Sequence, residues 1–337
     1  MQAFTVLGSN PQLSIAELKT LIKKAPSLFT NEVAIFDDVD TKLDVLQQKL
    51  GGIQKIGSVI GSVTTINKKE ITDFLASMLQ SQSMDGKIYF GFSIYDIENA
   101  QRTQKLQMQI KAIGLEIKSK LKYAGRSARF VTSKENTLSS VIVSKNHLLD
   151  RGAEFVFLVK DREILIGQTQ AVQDFKDWSH RDYDRPARDA RRGMLPPKLA
   201  RMMVNLTGIN LLNTTLLDPF CGSGTILMEG ALLGAEKLIG SDISEKAVED
   251  TIQNLEWLRD ENYNVPIFEV LQSKASNLAA YHAKESIGAV ATEPFLGNPR
   301  SGRETINQIK QAIEDLEQLY FESFSAIYPL MKKGAPI

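Results

Sequence analysis

The spacing of apolar positions changes several times along the chain, and each change marks an element. Residues 4–7 form a short apolar run that predicts a strand, and a helical spacing follows in which Ile15, Leu18 and Ile22 share one face. Ser14 and Glu17 stand at capping-box spacing, so this helix is predicted to open at Ser14. Strands are predicted over 32–36 and 56–60, the second preceded by Gly51 and Gly52, with helices over 41–50 and 70–79. The alternation predicts a ferredoxin-like α+β domain for residues 1–84. A second unit, 85–172, opens on a strand over 88–94, rich in aromatic and β-branched residues. Its helix, 101–123, carries the apolar stripe Ile110, Ile113, Ile117 and Leu121, with Lys111, Lys118 and Lys122 on another face. Strands over 128–131, 154–159 and 163–168 and a helix over 139–149 complete it.

Periodicity is lost over 174–198. Trp178, His180, Arg181, Tyr183, Arg185, Arg188, Arg191 and Arg192 are interleaved with aspartates and followed by Gly193-Met194-Leu195-Pro196-Pro197, so 173–200 reads as a linker. Two readings stand for it. The arginines and aromatics touch RNA by phosphate pairing and stacking, or they fix an interdomain angle through Asp182, Asp184 and Asp189. A helix over 199–206 then leads into a β/α pattern filling 201–337. Four strands end near Asp218, Asp242, Leu271 and Thr292, with helices over 226–234 and 245–259 and a long one over 304–331.

Composition narrows this picture. The 337 residues accommodate two or three domains, and no apolar run is long enough for a bilayer span. The first residues read as a strand, not a secretion signal. One cysteine, Cys221, excludes an intrachain disulfide, and three scattered histidines offer no zinc set, so a cytoplasmic, metal-free protein with no membrane partner is expected. Formal charge is zero, yet Arg102, Lys105, Lys111, Lys118, Lys120, Lys122, Arg126, Arg129 and Lys134 are opposed by Glu116 alone between 102 and 134. Such a block is a footprint for phosphate, the plainer reading being a solvated helix face.

The most chemical stretch is Leu217-Asp218-Pro219-Phe220-Cys221-Gly222-Ser223-Gly224-Thr225, where a strand turns on glycines into a helix. Close glycines expose bare backbone to a ligand, and the helix start offers free N–H groups. Neither a phosphate loop nor a dinucleotide fingerprint has this spelling. The plainer reading is a structural strand–helix turn. A second strand ends on Asp242, where nucleotide folds grip a ribose.

The run 218–225 resembles the first motif of class I S-adenosylmethionine (SAM) methyltransferases acting on nucleic acid. The bridge, from Arg181-Asp182-Tyr183 through Arg185-Pro186-Ala187-Arg188-Asp189 to Met194-Leu195-Pro196-Pro197, is similar to that of tRNA guanosine-N2 methyltransferases bearing a THUMP domain. The opening, Val6-Leu7-Gly8 and Pro11 to Leu18, is similar too. The resemblance implies an α/β chain: a Rossmann-like class I methyltransferase domain, with incomplete C-terminal strands, preceded by a ferredoxin-like/THUMP α+β region. It implies SAM as cofactor and tRNA or another structured RNA as partner. Asp218, Gly222 and Gly224 would line the methionine end, Asp242 would take the ribose, Phe220, Thr225, Ile243 and Ala275 would also bind the cofactor, and the Met194 to Pro197 segment, with Leu195 and Pro196, would cover the pocket. Lys111, Lys118, Lys122, Arg126 and Arg129 would meet RNA, and Glu293, Pro294 and Phe295 would form the catalytic motif, with the target base flipped out to reach it.

Three departures stand against the family pattern. Thr292-Glu293-Pro294-Phe295-Leu296-Gly297 occupies the place of Asp/Asn-Pro-Pro-Tyr/Phe, so Glu293 is one methylene long and Leu296 replaces the stacking aromatic. Lys274 stands where an acid would accept the adenine amine, which a lysine cannot do. The family's sheet has seven strands, and residues 335–337 would only begin the fifth, as in a shortened chain whose fourth strand has a bare or thinly covered edge. These departures keep a second reading open, a non-catalytic RNA-binding protein with a vestigial SAM fold. Within the enzyme class the amine could belong to another base, another RNA or DNA, and a dinucleotide oxidoreductase is a distant third reading.

Overall fold

In the computed structural model, which describes residues 1–81, 86–188, 194–299 and 302–337, the chain divides into two units, Met1–Phe175 and Lys176–Ile337. In the first, β1 (Ala3–Leu7), α1 (Pro11–Ile22), β2 (Leu28–Phe29), β3 (Val33–Phe36), α2 (Leu43–Lys49) and β4 (Ile53–Val63) follow in order. β1 lies between β3 and β4, antiparallel to both, which is the ferredoxin-like arrangement expected. All five residues of β1 are buried because both its faces are covered. Ala3 and Leu7 pack with α1 and α2, and Phe4 and Val6 pack on the opposite side with Tyr95, Val156 and Leu158.

Then come α3 (Lys68–Ser81), β5 (Ile88–Asp96), α4 (Ala100–Tyr123), β6 (Ala128–Val131), α5 (Ser140–Lys145), β7 (Gly152–Val159) and β8 (Ile164–Val172). The sheet does not break at 84. β4 pairs with β8, and among the described residues one sheet runs β2-β3-β1-β4-β8-β7-β5-β6. The border expected at 84/85 is therefore not a border between cores. The β4–β8 ladder shifts register at Ile56/Gly57 and Val59/Gly61, and the Phe4 ring lies over Gly57 and Gly167, where a Cβ would approach it within 2.6 Å. A buried network ties the sheet together. Lys55 Nζ donates to Glu154 Oε1 at 2.6 Å and to the Leu138 carbonyl at 2.8 Å, and the Ser93 and Thr169 hydroxyls donate to the same carboxylate.

The α4 stripe packs as expected: Ile113, Ile117 and Leu121 are fully buried where α4 meets α3, β5 and β6, with Ile110 partly so. Ser14 is different. Pro11 starts α1 one turn earlier, so Ser14 is interior and donates to the Gly52 carbonyl, and the Glu17 carboxylate accepts the N–H groups of Gly51 and Gly52.

The second unit holds α6 (Phe175–Ser179, which begins one residue before it), a π-helical turn (His180–Asp184), α7 (Pro197–Leu206), β9 (Thr215–Asp218), α8 (Thr225–Leu232), β10 (Lys237–Asp242), α9 (Glu245–Asp260), β11 (Ile267–Gln272), β12 (Ala289–Val290) and α10 (Ile306–Ile327). Its parallel sheet has the order β11-β10-β9-β12. The expected linker is thus partly helical and belongs to this unit. Trp178 lies under the guanidinium carbons of Arg181 at 4.3 Å and Arg201 at 4.7 Å, and both arginines pair with the buried Glu229 of α8. Asp177 bonds Arg181 and the Tyr263 hydroxyl. Arg181 and Arg185 are buried, so neither expected reading of the linker describes them; Asp189, Arg191 and Arg192 lie outside the described residues. The long helix ends at Ile327, short of 331, because Pro329 cannot continue the ladder. The edge of β12 is not bare: Ile287 N–H donates to the Leu330 carbonyl at 2.9 Å, and Val290 N–H to that of Pro336 at 3.0 Å.

Candidate active site

In a parallel sheet ordered 3-2-1-4, connections leave in opposite directions on either side of the first strand, and a crevice opens at the strands' carboxyl ends. Here that strand is β9, and Asp218 ends it. The chain turns through Gly222 (φ 53°) and Gly224 (φ 82°), backbone angles that side chains rarely adopt. A Cβ on Gly224 would also lie 2.9 Å from Thr251 Cγ2. α9 clamps the turn: Thr251 Oγ1 donates to the Gly222 carbonyl at 2.8 Å, and Asn254 Nδ2 donates to the carbonyls of Ser223 at 2.8 Å and Ala187 at 3.0 Å.

Leu195, Asp218, Phe220, Gly222, Thr225 and Glu293 line one cleft, joined by Met194, Cys221, Ser223 and Ile226. Gly224 is buried beneath the turn as the cap of α8, and Pro196 caps α7. Asp242 is linked to the cleft through its Oδ2, which accepts the Gly222 N–H at 3.1 Å, while Oδ1 accepts that of Ser244 at 2.9 Å. Ile243 projects beside it, 71% exposed, whereas Ala275 is buried. Ser273, also buried, takes the backbone carbonyl of Asp242 with its N–H at 3.0 Å. Pro294 and Phe295 lie outside the cleft wall; Phe295 is half-exposed and its carbonyl accepts the Tyr320 hydroxyl at 2.6 Å.

Of the basic residues in the first unit, Lys118, Lys122 and Arg126 line a groove with Gly125, Ser127 and Ala128. Lys111 lines another with Phe130 and Lys134, and Arg129 is exposed on β6. Glu116 pairs with Lys68 at 2.8 Å, which moves the block's lone acid onto a partner in α3. Local pattern does not single out Thr251, Asn254 or the solvent-facing Tyr123; the first two are polar residues three apart on α9 whose burial only the fold reveals.

Burial pushes the Asp218 carboxyl up to about 7, against the hydrogen bonds from Thr292 Oγ1 (2.7 Å) and Phe220 N–H (3.2 Å), with the carboxylates of Asp242 and Glu293 adding to the rise. The folded chain therefore holds a proton that the unfolded chain releases near its ordinary value, and stability falls as pH rises through that window. Asp218→Asn is expected to gain roughly 2–3 kcal/mol on the parent between pH 5 and pH 8. Urea unfolding of both proteins at the two pH values measures this, and a pH-independent difference contradicts it.

A profile of RMKL-like methyltransferase domains matches residues 185–327, and a DNA methylase profile matches 67–254. The tRNA (guanine(10)-N2)-dimethyltransferase of Methanothermobacter thermautotrophicus is 33% identical over 180 residues, 53% of this chain and 47% of its own length. A protein of Methanothermococcus thermolithotrophicus named as a probable enzyme of the same kind is 32% identical over 122 residues, 35% of this chain and 72% of its own length. The chain spans about half the length of the first of these relatives. Among solved structures, TrmN from Thermus thermophilus has a similar fold, with a TM-score of 0.53 at 16% identity over 99% of this chain and 87% of that one.

Proposed function

The chain belongs to the tRNA guanosine-N2 methyltransferase family, and on that premise we propose that it transfers a methyl group from SAM to the exocyclic N2 amine of a guanosine in tRNA. The observation that carries this reading is the Asp218–Thr225 turn at the sheet's switch point, with acids ending both β9 and β10.

The residues present suit this cofactor. Asp218 is a buried carboxyl whose ionised form a cationic ligand would favour, Asp242 keeps lone pairs beyond its two backbone bonds, and Ile243 offers an exposed apolar face beside it. Asp218 would hold the amino end, Asp242 the ribose hydroxyls and Ile243 the adenine face, with Ala275 beneath. Ser273 stands beside Lys274, where the family's acid is missing; its hydroxyl donates to the Lys274 carbonyl at 3.1 Å and keeps lone pairs that would accept the adenine amine in the acid's place. SAM supplies an electrophilic methyl group on a sulfonium. The protein's part is orientation: Glu293 accepts a hydrogen bond from the target amine and takes the proton that the nitrogen sheds, while Phe295 offers a ring to the flipped base. Within the Met1–Phe175 unit, residues 85–172 would act as the THUMP-type RNA-binding part. Lys118, Lys122 and Arg126 would meet phosphate, with Tyr123, 92% exposed at the end of α4, available for stacking.

Incubating unmodified tRNA with the protein and methyl-labelled SAM, then digesting to nucleosides for mass spectrometry, tests the reading. Labelled N2-methylguanosine is expected. Label on adenosine or cytidine instead would favour the amino-methylation of another base to which the DNA methylase match points. Saturable RNA binding with no label would favour the vestigial reading that Glu293, Leu296 and Lys274 raise. Charge reversal of Lys118 and Lys122 together is expected to weaken tRNA binding at least tenfold and to flatten its log–log salt dependence by about two units. An unchanged slope in filter binding from 50 to 200 mM salt would leave both lysines merely solvated.

A further inference from the structure

Arg185 is a cation buried without a counter-ion. Its side chain is 2% exposed, and among the described residues it forms no ion pair. Nη1 donates to Thr225 Oγ1 at 2.7 Å, Nη2 approaches the Met194 sulfur at 3.7 Å, and Nε has no hydrogen-bond partner. Its neighbour Arg181 is equally buried but bonds two carboxylates, Glu229 and Asp177. Burial holds the Arg185 guanidinium below the ordinary arginine value; the Asp182 and Glu229 charges pull it back only from a distance, and Arg188 pushes it further down. Desolvating an ion without pairing it is strongly unfavourable. Such a residue is retained where something else brings the opposite charge.

Its two contacts indicate where that charge arrives. Thr225 and Met194 both line the cleft. Thr225 is the first residue of α8, and the preceding Gly224 has no side chain to cap the helix, so the positive end of the helix dipole faces the same wall. The Thr225 hydroxyl accepts from Arg185 and keeps its own proton to donate, and Thr225 lines the cleft in which an acceptor would sit.

We propose that Arg185, acting through the Thr225 hydroxyl and the first turn of α8, is the positioning residue of a carboxylate subsite that holds the α-carboxylate of the cofactor's methionine moiety. This rests on the methyltransferase reading, since that carboxylate is the cofactor's one anionic group. It complements Asp218, which faces the cationic end of the same moiety, so the two charges of the amino acid meet opposite charges on separate elements.

The test compares two ligands that differ by the carboxylate alone, SAM and decarboxylated SAM, titrated calorimetrically into the full chain, Arg185→Met and Thr225→Val. Each variant is expected to bind SAM about 10–100-fold more weakly while its affinity for decarboxylated SAM stays within about twofold of the parent. Arg185→Met should also unfold at the same or a higher temperature without ligand, because it removes an unpaired buried charge. A merely structural role would weaken both ligands together, and that result, or no change with either, overturns the proposal. A parent chain that binds neither ligand overturns the methyltransferase reading and this inference with it.

Discussion

Glu154→Ala is expected to destabilise the Met1–Phe175 unit by about 3–5 kcal/mol, the cost of stripping one partner from a buried ion pair. The carboxylate is fully buried and accepts three hydrogen bonds: Lys55 Nζ at 2.6 Å and Ser93 Oγ at 2.5 Å on Oε1, and Thr169 Oγ1 at 2.6 Å on Oε2. Without it the Lys55 ammonium, 1% exposed, keeps no anion, just the Leu138 carbonyl at 2.8 Å, a long contact to Ser93 and the Tyr95 ring 5.7 Å away. Typical domains are stable by about 5–15 kcal/mol, so the loss is a large fraction of the whole. The pair Lys55→Met with Glu154→Leu removes both charges and should recover more than half of it. Urea midpoints with unchanged slopes would measure both. A loss under about 1 kcal/mol for Glu154→Ala would mean that water reaches the site and the network contributes little. Because Lys55 comes from β4 and Glu154 from β7, the same experiment reports whether the two halves of the sheet unfold in one transition.

Elements with a strong local period were legible in the chain. The α4 stripe, the β6 strand and the two acids ending β9 and β10 stand where their residues imply, because a helix face or a strand end is decided within a few residues. What local pattern cannot carry is pairing between distant strands. The β4–β8 ladder joins residues more than a hundred apart and erases the border expected at 84/85. Spacing alone is likewise ambiguous. Ser14 and Glu17 fit a helix cap or a helix interior equally, and Pro11 decides for the interior. In the site, the turn and its acids were readable, but Thr251, Asn254 and Arg185 were not, since composition does not reveal burial. An arginine among aspartates looks solvated until the fold places it behind Thr225.

Asp242→Ala is expected to weaken SAM binding by two orders of magnitude or more while leaving tRNA binding intact. The side chain has two tasks. Its oxygens accept backbone N–H groups from Gly222 at 3.1 Å and Ser244 at 2.9 Å, which fixes the glycine turn against the end of β10. Its remaining lone pairs are those a ribose diol would use, and each hydrogen bond to a charged acceptor contributes about 1.5–3 kcal/mol. The two tasks separate with a second ligand. An SAM analogue lacking both ribose hydroxyls should bind the parent weakly and the variant almost equally weakly, so the ratio between proteins shrinks toward one. If the variant loses the same factor for both ligands, the carboxylate works only by holding the turn, and the ribose is gripped elsewhere. If SAM affinity is unchanged, β10 does not end at a cofactor. Neither outcome alters the basic groove of the Met1–Phe175 unit, so tRNA affinity is the specificity control, and urea unfolding of the variant shows whether the Lys176–Ile337 unit that carries residue 242 is folded.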